Sequence, residues 1–137
     1  MPDLKKYQMY INGQWVDSDT KKTFETLNPE NNKPWAVVPE ASANDVDRAV
    51  KAAQKAFEGE WPKMLARDRA KYLRAIGNKL RENSELLGKI ETIDTGKLYR
   101  ETYQQAKYIA EYYDYYAGLA DKVEGTVLPI DKPNIQA

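Results

Sequence analysis

The chain has no cysteine and no histidine. Without cysteine there is no disulfide, no thiolate nucleophile and no sulfur ligand for a metal. Without histidine the commonest general base near neutral pH and the commonest metal ligand are gone too. Chemistry by these residues alone would fall to carboxylates, lysine, tyrosine or serine, so most hydrolytic and metal-dependent constellations are excluded by inventory. Net charge is missing as well. Lys plus Arg, at 21, balances Asp plus Glu, also 21, and nothing favours capture of nucleic acid or of an anionic membrane surface. No apolar run approaches the ~20 residues that cross a bilayer. The opening MPDLKKYQMY has no apolar core of the signal-peptide kind. The expectation is a cytoplasmic protein with no nucleic-acid and no membrane partner.

What is present suits one soluble domain. At 137 residues, 42% apolar and 31% charged, a chain of this size can bury about two-thirds of its unfolded surface. Residues 7–39 have the pattern of strands broken by turns. Tyr10-Ile11 and Trp15-Val16 flank Asn12-Gly13, a pair that tolerates positive φ and so suits a tight hairpin. Asp17-Ser18-Asp19 predicts a polar turn, and Thr23 to Leu27 predicts a strand stopped at Asn28-Pro29. Pro34 to Pro39 predicts a third extended run, which its prolines should confine to an edge or a short strand.

Residues 42–121 are helical by period. Ser42 is a good N-cap with Asp45 three residues on, and Val46, Ala49, Val50, Ala53 and Phe57 make a stripe that Gly59 stops. A second helix is predicted from about Leu65 to Arg81, carried by Tyr72, Leu73, Ile76 and Leu80. A third, capped by Asn83 or Ser84, carries Leu86, Leu87 and Ile90 and closes at Gly96. The fourth, from about Tyr99 to Ala120, has Tyr103, Ala106, Ala110, Tyr113 and Ala117 on one side, with Tyr108, Tyr112 and Leu119 on another. Lys122–Ile130 returns to extended character. The fold class is therefore α/β, in the sense of an α+β arrangement: an N-terminal hairpin with edge strands, four helices and one C-terminal extended strand. It is unbalanced, because no continuous Val/Ile-rich strand is fit for a sheet centre. Either the helices pack on one another, or the main sheet lies outside these residues.

Candidate chemistry is sparse. Thr95-Gly96-Lys97 fails as a phosphate loop, since Glu91 stands where the first glycine should be and Leu98 follows the lysine. The tyrosines of YIAEYYDYYAGLAD are interleaved with Glu111 and Asp114 and not with basic residues, which argues against base stacking and for packing. Lys63, Arg67, Arg69, Lys71 and Arg74 fit a solvated helix face. Asp94 stands out. It shares a helix face with Leu87 and Ile90, yet lies at the negative end of the helix dipole, which disfavours a carboxylate by roughly 0.3–1 kcal/mol. Two readings stay open: an exposed carboxylate capping the helix that starts at Tyr99-Arg100, or an oxygen ligand for a hard cation, joined by free carbonyls from a segment such as Thr26-Leu27-Asn28-Pro29.

Five segments then occur in a telling order: YINGQWV at 10–16, TFETLNP at 23–29, VPEASANDVDRAVKAAQKAF at 38–57, ETIDTGK at 91–97 and YYAGLADKVEGTVLPI at 115–130. Together they resemble the opening of NAD(P)-dependent aldehyde dehydrogenases, nearest the betaine-aldehyde and semialdehyde branch. The resemblance implies a several-fold longer parent with a Rossmann-like cofactor domain, a catalytic domain and an oligomerisation element, forming homodimers or homotetramers. Residues 1–121 would be the peripheral N-terminal part of the cofactor domain, and residues 122–137 the start of the oligomerisation strand and a truncated end. It implies a monovalent cation, K⁺ or Na⁺, at Thr26, Leu27 and Asp94, and an aldehyde tunnel touched by Tyr108 and Tyr112. The parent would oxidise an aldehyde to a carboxylic acid with NAD or NADP. This chain departs from the pattern, having neither the cysteine nor a glycine-rich cofactor turn, so it carries no catalytic and no cofactor-binding residue and should be inactive alone. The rival is a non-catalytic helical interaction module that docks through the tyrosine-rich helix.

Overall fold

The computed structural model describes residues 4–126. It contains five short strands, β1 Lys5–Lys6, β2 Met9–Ile11, β3 Gln14–Val16, β4 Thr23–Asn28 and β5 Lys33–Pro39. Four helices follow, α1 Ala43–Glu58, α2 Ala66–Glu82, α3 Ser84–Thr95 and α4 Tyr99–Leu119, with a 3₁₀ turn at Trp61–Lys63. The hairpin forms where Asn12-Gly13 predicts it. Asn12 (φ 51°) and Gly13 (φ 78°) both adopt positive φ, matching the twist of the flanking strands. Lys122–Thr126 carries no regular secondary structure, and the rest of the expected C-terminal strand lies outside the described residues.

One strand expectation is corrected. β5 is no edge: it lies between β1, which pairs parallel to it, and the antiparallel β4. Its prolines are accommodated because each sits where the ladder needs least from it. Pro39 closes the register opposite Thr23, and Pro34 faces Leu27 at a register shift. β1 joins only at Ala36 and Val37, between the two prolines. β1 itself, a two-residue Lys-Lys strand, carries no apolar alternation by which sequence could announce it.

The helices end where local chemistry requires. Ser42 accepts from the Asp45 amide while Asp45 accepts from the Ser42 amide, a complete capping box for α1. Gly96 takes a left-handed conformation (φ 75°) and closes α3. Asn83 precedes α3 but does not cap it with its side chain, which instead donates to the Lys79 carbonyl at the end of α2.

Packing is unusual. α2 and α3 both lie against α4, and the seam is built of small residues: Ala70 and Gly77 of α2, Ser84 and Gly88 of α3, and Thr102, Ala106, Ala110 and Ala117 of α4 are buried. The α4 side predicted from Ala106, Ala110 and Ala117 is the side that packs. The other stripes point outward. On α1, Val46, Val50 and Phe57 are exposed, and the helix turns Asp45, Ala49 and Ala52 inward instead. Tyr72 and Ile76 of α2 and Leu86 of α3 are exposed as well. Among the described residues the buried apolar side chains are alanines, and the largest fully buried side chains are Thr102, Asp45 and Ser18. Helices therefore pack on one another here, but not through the large apolar residues the periodicity marks.

Candidate functional site

Asp94 is placed by the last turn of α3, and Thr26 by the fourth residue of β4. The two segments, far apart in sequence, meet: the Thr26 hydroxyl donates to Asp94 Oδ1 at 2.7 Å. Asp94 is exposed and not inward among the chain's own residues. The capping reading is excluded, because the N-cap of α4 is Leu98 and α4 has no side-chain cap. Leu27 follows at the register shift, facing Pro34, which has no N–H to offer a ladder carbonyl. A carboxylate, a hydroxyl and an interrupted strand thus share one place. That donor set is all oxygen with a single charge, which suits a hard monovalent cation better than a divalent one. Among the described residues no group of three or more His, Cys, Asp and Glu could hold a metal ion.

Tyr108 and Tyr112 stand one turn apart on the outer side of α4, both exposed. Their hydroxyls are 3.2 Å apart and their rings meet edge to face at 5.0 Å. With Glu111 and Tyr115 they line an open cavity of about 390 Å³. The neighbouring Tyr108 hydroxyl raises the Tyr112 phenol above its ordinary pKa, so both rings are neutral at physiological pH. This cluster lies apart from the seam tyrosines, Tyr103 and Tyr113, which are half-buried.

Two polar centres escape sequence reasoning. Asp45, beyond capping α1, is fully buried and accepts the Ser18 hydroxyl at 2.8 Å, the Asp19 amide and the Arg48 guanidinium. The Ser42 amide foremost, with Arg48 and Ser18, holds its carboxyl well below the usual range, although burial opposes this. The clasp ties the turn after β3 to the start of α1. Thr102 is the second. Its hydroxyl donates to the Gly88 carbonyl at 2.9 Å and meets the Thr92 hydroxyl at 2.9 Å, joining α3 to α4. The capping box was a local signal for Asp45, but Ser18 lies 27 residues away and no pattern links them.

The described residues offer no cradle for a dinucleotide. The one strand-to-helix junction, β5 to α1, runs through Glu40-Ala41-Ser42 without a glycine, and the Asp45 carboxylate already takes the first-turn amides there. No helix among the described residues is long and apolar enough to cross a membrane.

Known proteins give this geometry its context. The Aldehyde dehydrogenase family pattern matches residues 15–137. The (Z)-2-((N-methylformamido)methylene)-5-hydroxybutyrolactone dehydrogenase of Acinetobacter baylyi is 44% identical over 135 residues, covering 98% of this chain and 27% of that protein. Betaine aldehyde dehydrogenase from Staphylococcus aureus, solved in complex with NAD⁺, superposes with a TM-score of 0.86 at 41% identity. That match covers 93% of this chain and 25% of the other. An NAD-dependent aldehyde dehydrogenase from Sinorhizobium meliloti gives a TM-score of 0.90 at 29% identity, covering 98% of this chain and 27% of the other. The chain spans about a quarter of the length of the proteins it matches, and its five strands and four helices correspond to the N-terminal part of their fold. It belongs to the aldehyde dehydrogenase family.

Proposed function

We propose that this member of the aldehyde dehydrogenase family is the N-terminal quarter of an NAD(P)-dependent enzyme that oxidises an aldehyde to a carboxylic acid. The observation that carries the reading is the family match through residues 15–137 in a chain that spans 27% of its relative and has no cysteine. Covalent oxidation of an aldehyde needs a nucleophile that attacks the carbonyl carbon and an acceptor for the hydride. The first is absent from the sequence, and the second has no cradle among the described residues. Both are assigned to the remaining three quarters of the polypeptide, and no step of the reaction is assigned to these 137 residues.

What these residues contribute is position. In this proposal Asp94, with the carbonyls of Thr26 and Leu27, holds K⁺ or Na⁺. The ion neutralises a carboxylate at the negative end of the α3 dipole and ties β4 to α3. Tyr108 and Tyr112 form part of the wall along which the aldehyde enters. Residues 1–121 belong to the cofactor-binding domain, residues 122–137 begin the oligomerisation element, and the whole enzyme is a cytoplasmic homodimer or homotetramer. A second reading has one observation in its favour, the exposed tyrosines of α4: a non-catalytic module that docks through that helix.

Kinetics separate the two. The longer polypeptide forms reduced nicotinamide when given an aldehyde, and the 137-residue chain forms none. Absence of turnover by the longer polypeptide across a broad aldehyde panel refutes the enzyme reading and leaves the module.

A further inference from the structure

We infer that the apolar strip running over α1, the 3₁₀ turn and the outer side of α2 is a docking surface whose occupant is the remaining three quarters of an aldehyde dehydrogenase polypeptide. The inference rests on the family reading above and goes beyond it by naming the surface. Val46, Val50 and Phe57 project from α1, Trp61 from the 3₁₀ turn, and Tyr72 and Ile76 from α2, each between 40% and 70% exposed. They are continuous. Val46 and Val50 are one turn apart, α1 touches the 3₁₀ turn, the Trp61 and Tyr72 rings meet at 5.9 Å, and Ile76 follows Tyr72 by one turn.

Size and context select the occupant. Covering six large apolar residues of this kind removes on the order of 600 Å² from water, most of one side of a standard interface of about 800 Å² per partner. An isolated soluble domain rarely leaves such a patch bare. The same helices already use their small residues, Ala49 and Ala52 on α1 and Ala70 and Gly77 on α2, for contacts within the chain. Their large residues are therefore free for something outside it. In the Staphylococcus aureus enzyme the quarter that superposes on this chain is part of a polypeptide about four times as long. The remainder of such a polypeptide is held beside the strip by covalent continuity, at an effective concentration that a separate partner would lack.

A thiol probe tests this directly, because the chain has no cysteine of its own. Val50→Cys places one at the middle of the α1 part of the strip. Its alkylation by a maleimide is followed by peptide mass spectrometry in the isolated chain and in a hybrid in which this chain replaces the aligned quarter of the Staphylococcus aureus enzyme. The rate in urea gives the fully accessible reference. The expected result is fast labelling in the isolated chain, near the reference, and labelling at least a hundredfold slower in the hybrid. Labelling of the hybrid within about threefold of the isolated chain, whether or not the hybrid folds, overturns the inference. So does slow labelling in the isolated chain accompanied by a dimer mass, which assigns the strip to a second copy. Aldehyde-dependent turnover by the hybrid is a separate readout: protection without turnover keeps the docking surface and counts against the proposed function.

Discussion

Gly88 is where the helical layer is tightest, and Gly88→Ala measures how tight. A Cβ at this position would lie 2.9 Å from both Cα and N of Tyr103 and 3.2 Å from its Cβ. Carbon atoms settle at roughly 3.5–4.0 Å, and the obstacle is backbone, which cannot swing aside. α3 and α4 must part by about half an ångström or more. The movement strains the Thr102 bond to the Gly88 carbonyl, the contact that fastens the two helices. Overpacking costs about 1–3 kcal/mol, and loss of the hydroxyl bond about 0.5–1.5 kcal/mol. Alanine returns about 0.8–1 kcal/mol through its better helix propensity. The net expectation is destabilisation by about 1–2 kcal/mol.

Gly118→Ala supplies the control, since no heavy atom lies within 4 Å of a Cβ there. It keeps only the propensity gain, about 0.5 kcal/mol near a helix end. Urea unfolding of the 137-residue chain, followed by circular dichroism, reads both as shifts of the midpoint at constant slope. The midpoint falls for Gly88→Ala and rises slightly for Gly118→Ala. A Gly88→Ala protein as stable as the parent, or a Gly118→Ala protein that falls as far, refutes the account of the seam.

Asp94→Ala abolishes any difference between melting in K⁺ or Na⁺ and melting in choline at equal ionic strength, and loses about 0.5–1.5 kcal/mol with the Thr26 hydrogen bond; a salt-identity effect that survives the substitution removes the ion from this place. The Asp45 carboxyl is depressed in the folded state, so its contribution is full above about pH 4, the ordinary unfolded value, and drains away as pH falls below it. Asp45→Asn accordingly lowers stability at pH 7 and flattens the acid side of a stability–pH curve, and an acid limb of unchanged slope contradicts the clasp. In the longer polypeptide, Tyr108→Ala raises KM for the preferred aldehyde on the order of tenfold with a smaller effect on kcat; an unchanged KM moves the substrate path elsewhere.

The local elements were legible because local rules form them. Asn12-Gly13 makes its hairpin through positive φ, Ser42 and Asp45 cap α1 reciprocally, and Gly96 ends α3 in the left-handed region. The order of β1, β5 and β4 was not legible. Two lysines give no strand signal, and the prolines of β5 argued for an edge that the register shift makes unnecessary. At the candidate site, the residues Thr26, Leu27 and Asp94 could be picked out by resemblance, but the hydrogen bond joining Thr26 to Asp94 spans 68 positions, beyond the reach of any periodicity.

Sequence by itself determined the inventory and the amphipathic stripes. A chain without cysteine cannot supply a thiolate in any fold, and helical period places Val46, Val50 and Phe57 on one face whatever that face meets. Only the tertiary structure decided which faces the chain uses internally. Period marks a face as apolar but carries no information about what packs on it. The close backbone approach of α2 and α3 to α4 admits alanine, glycine, serine and threonine and turns the larger apolar residues outward.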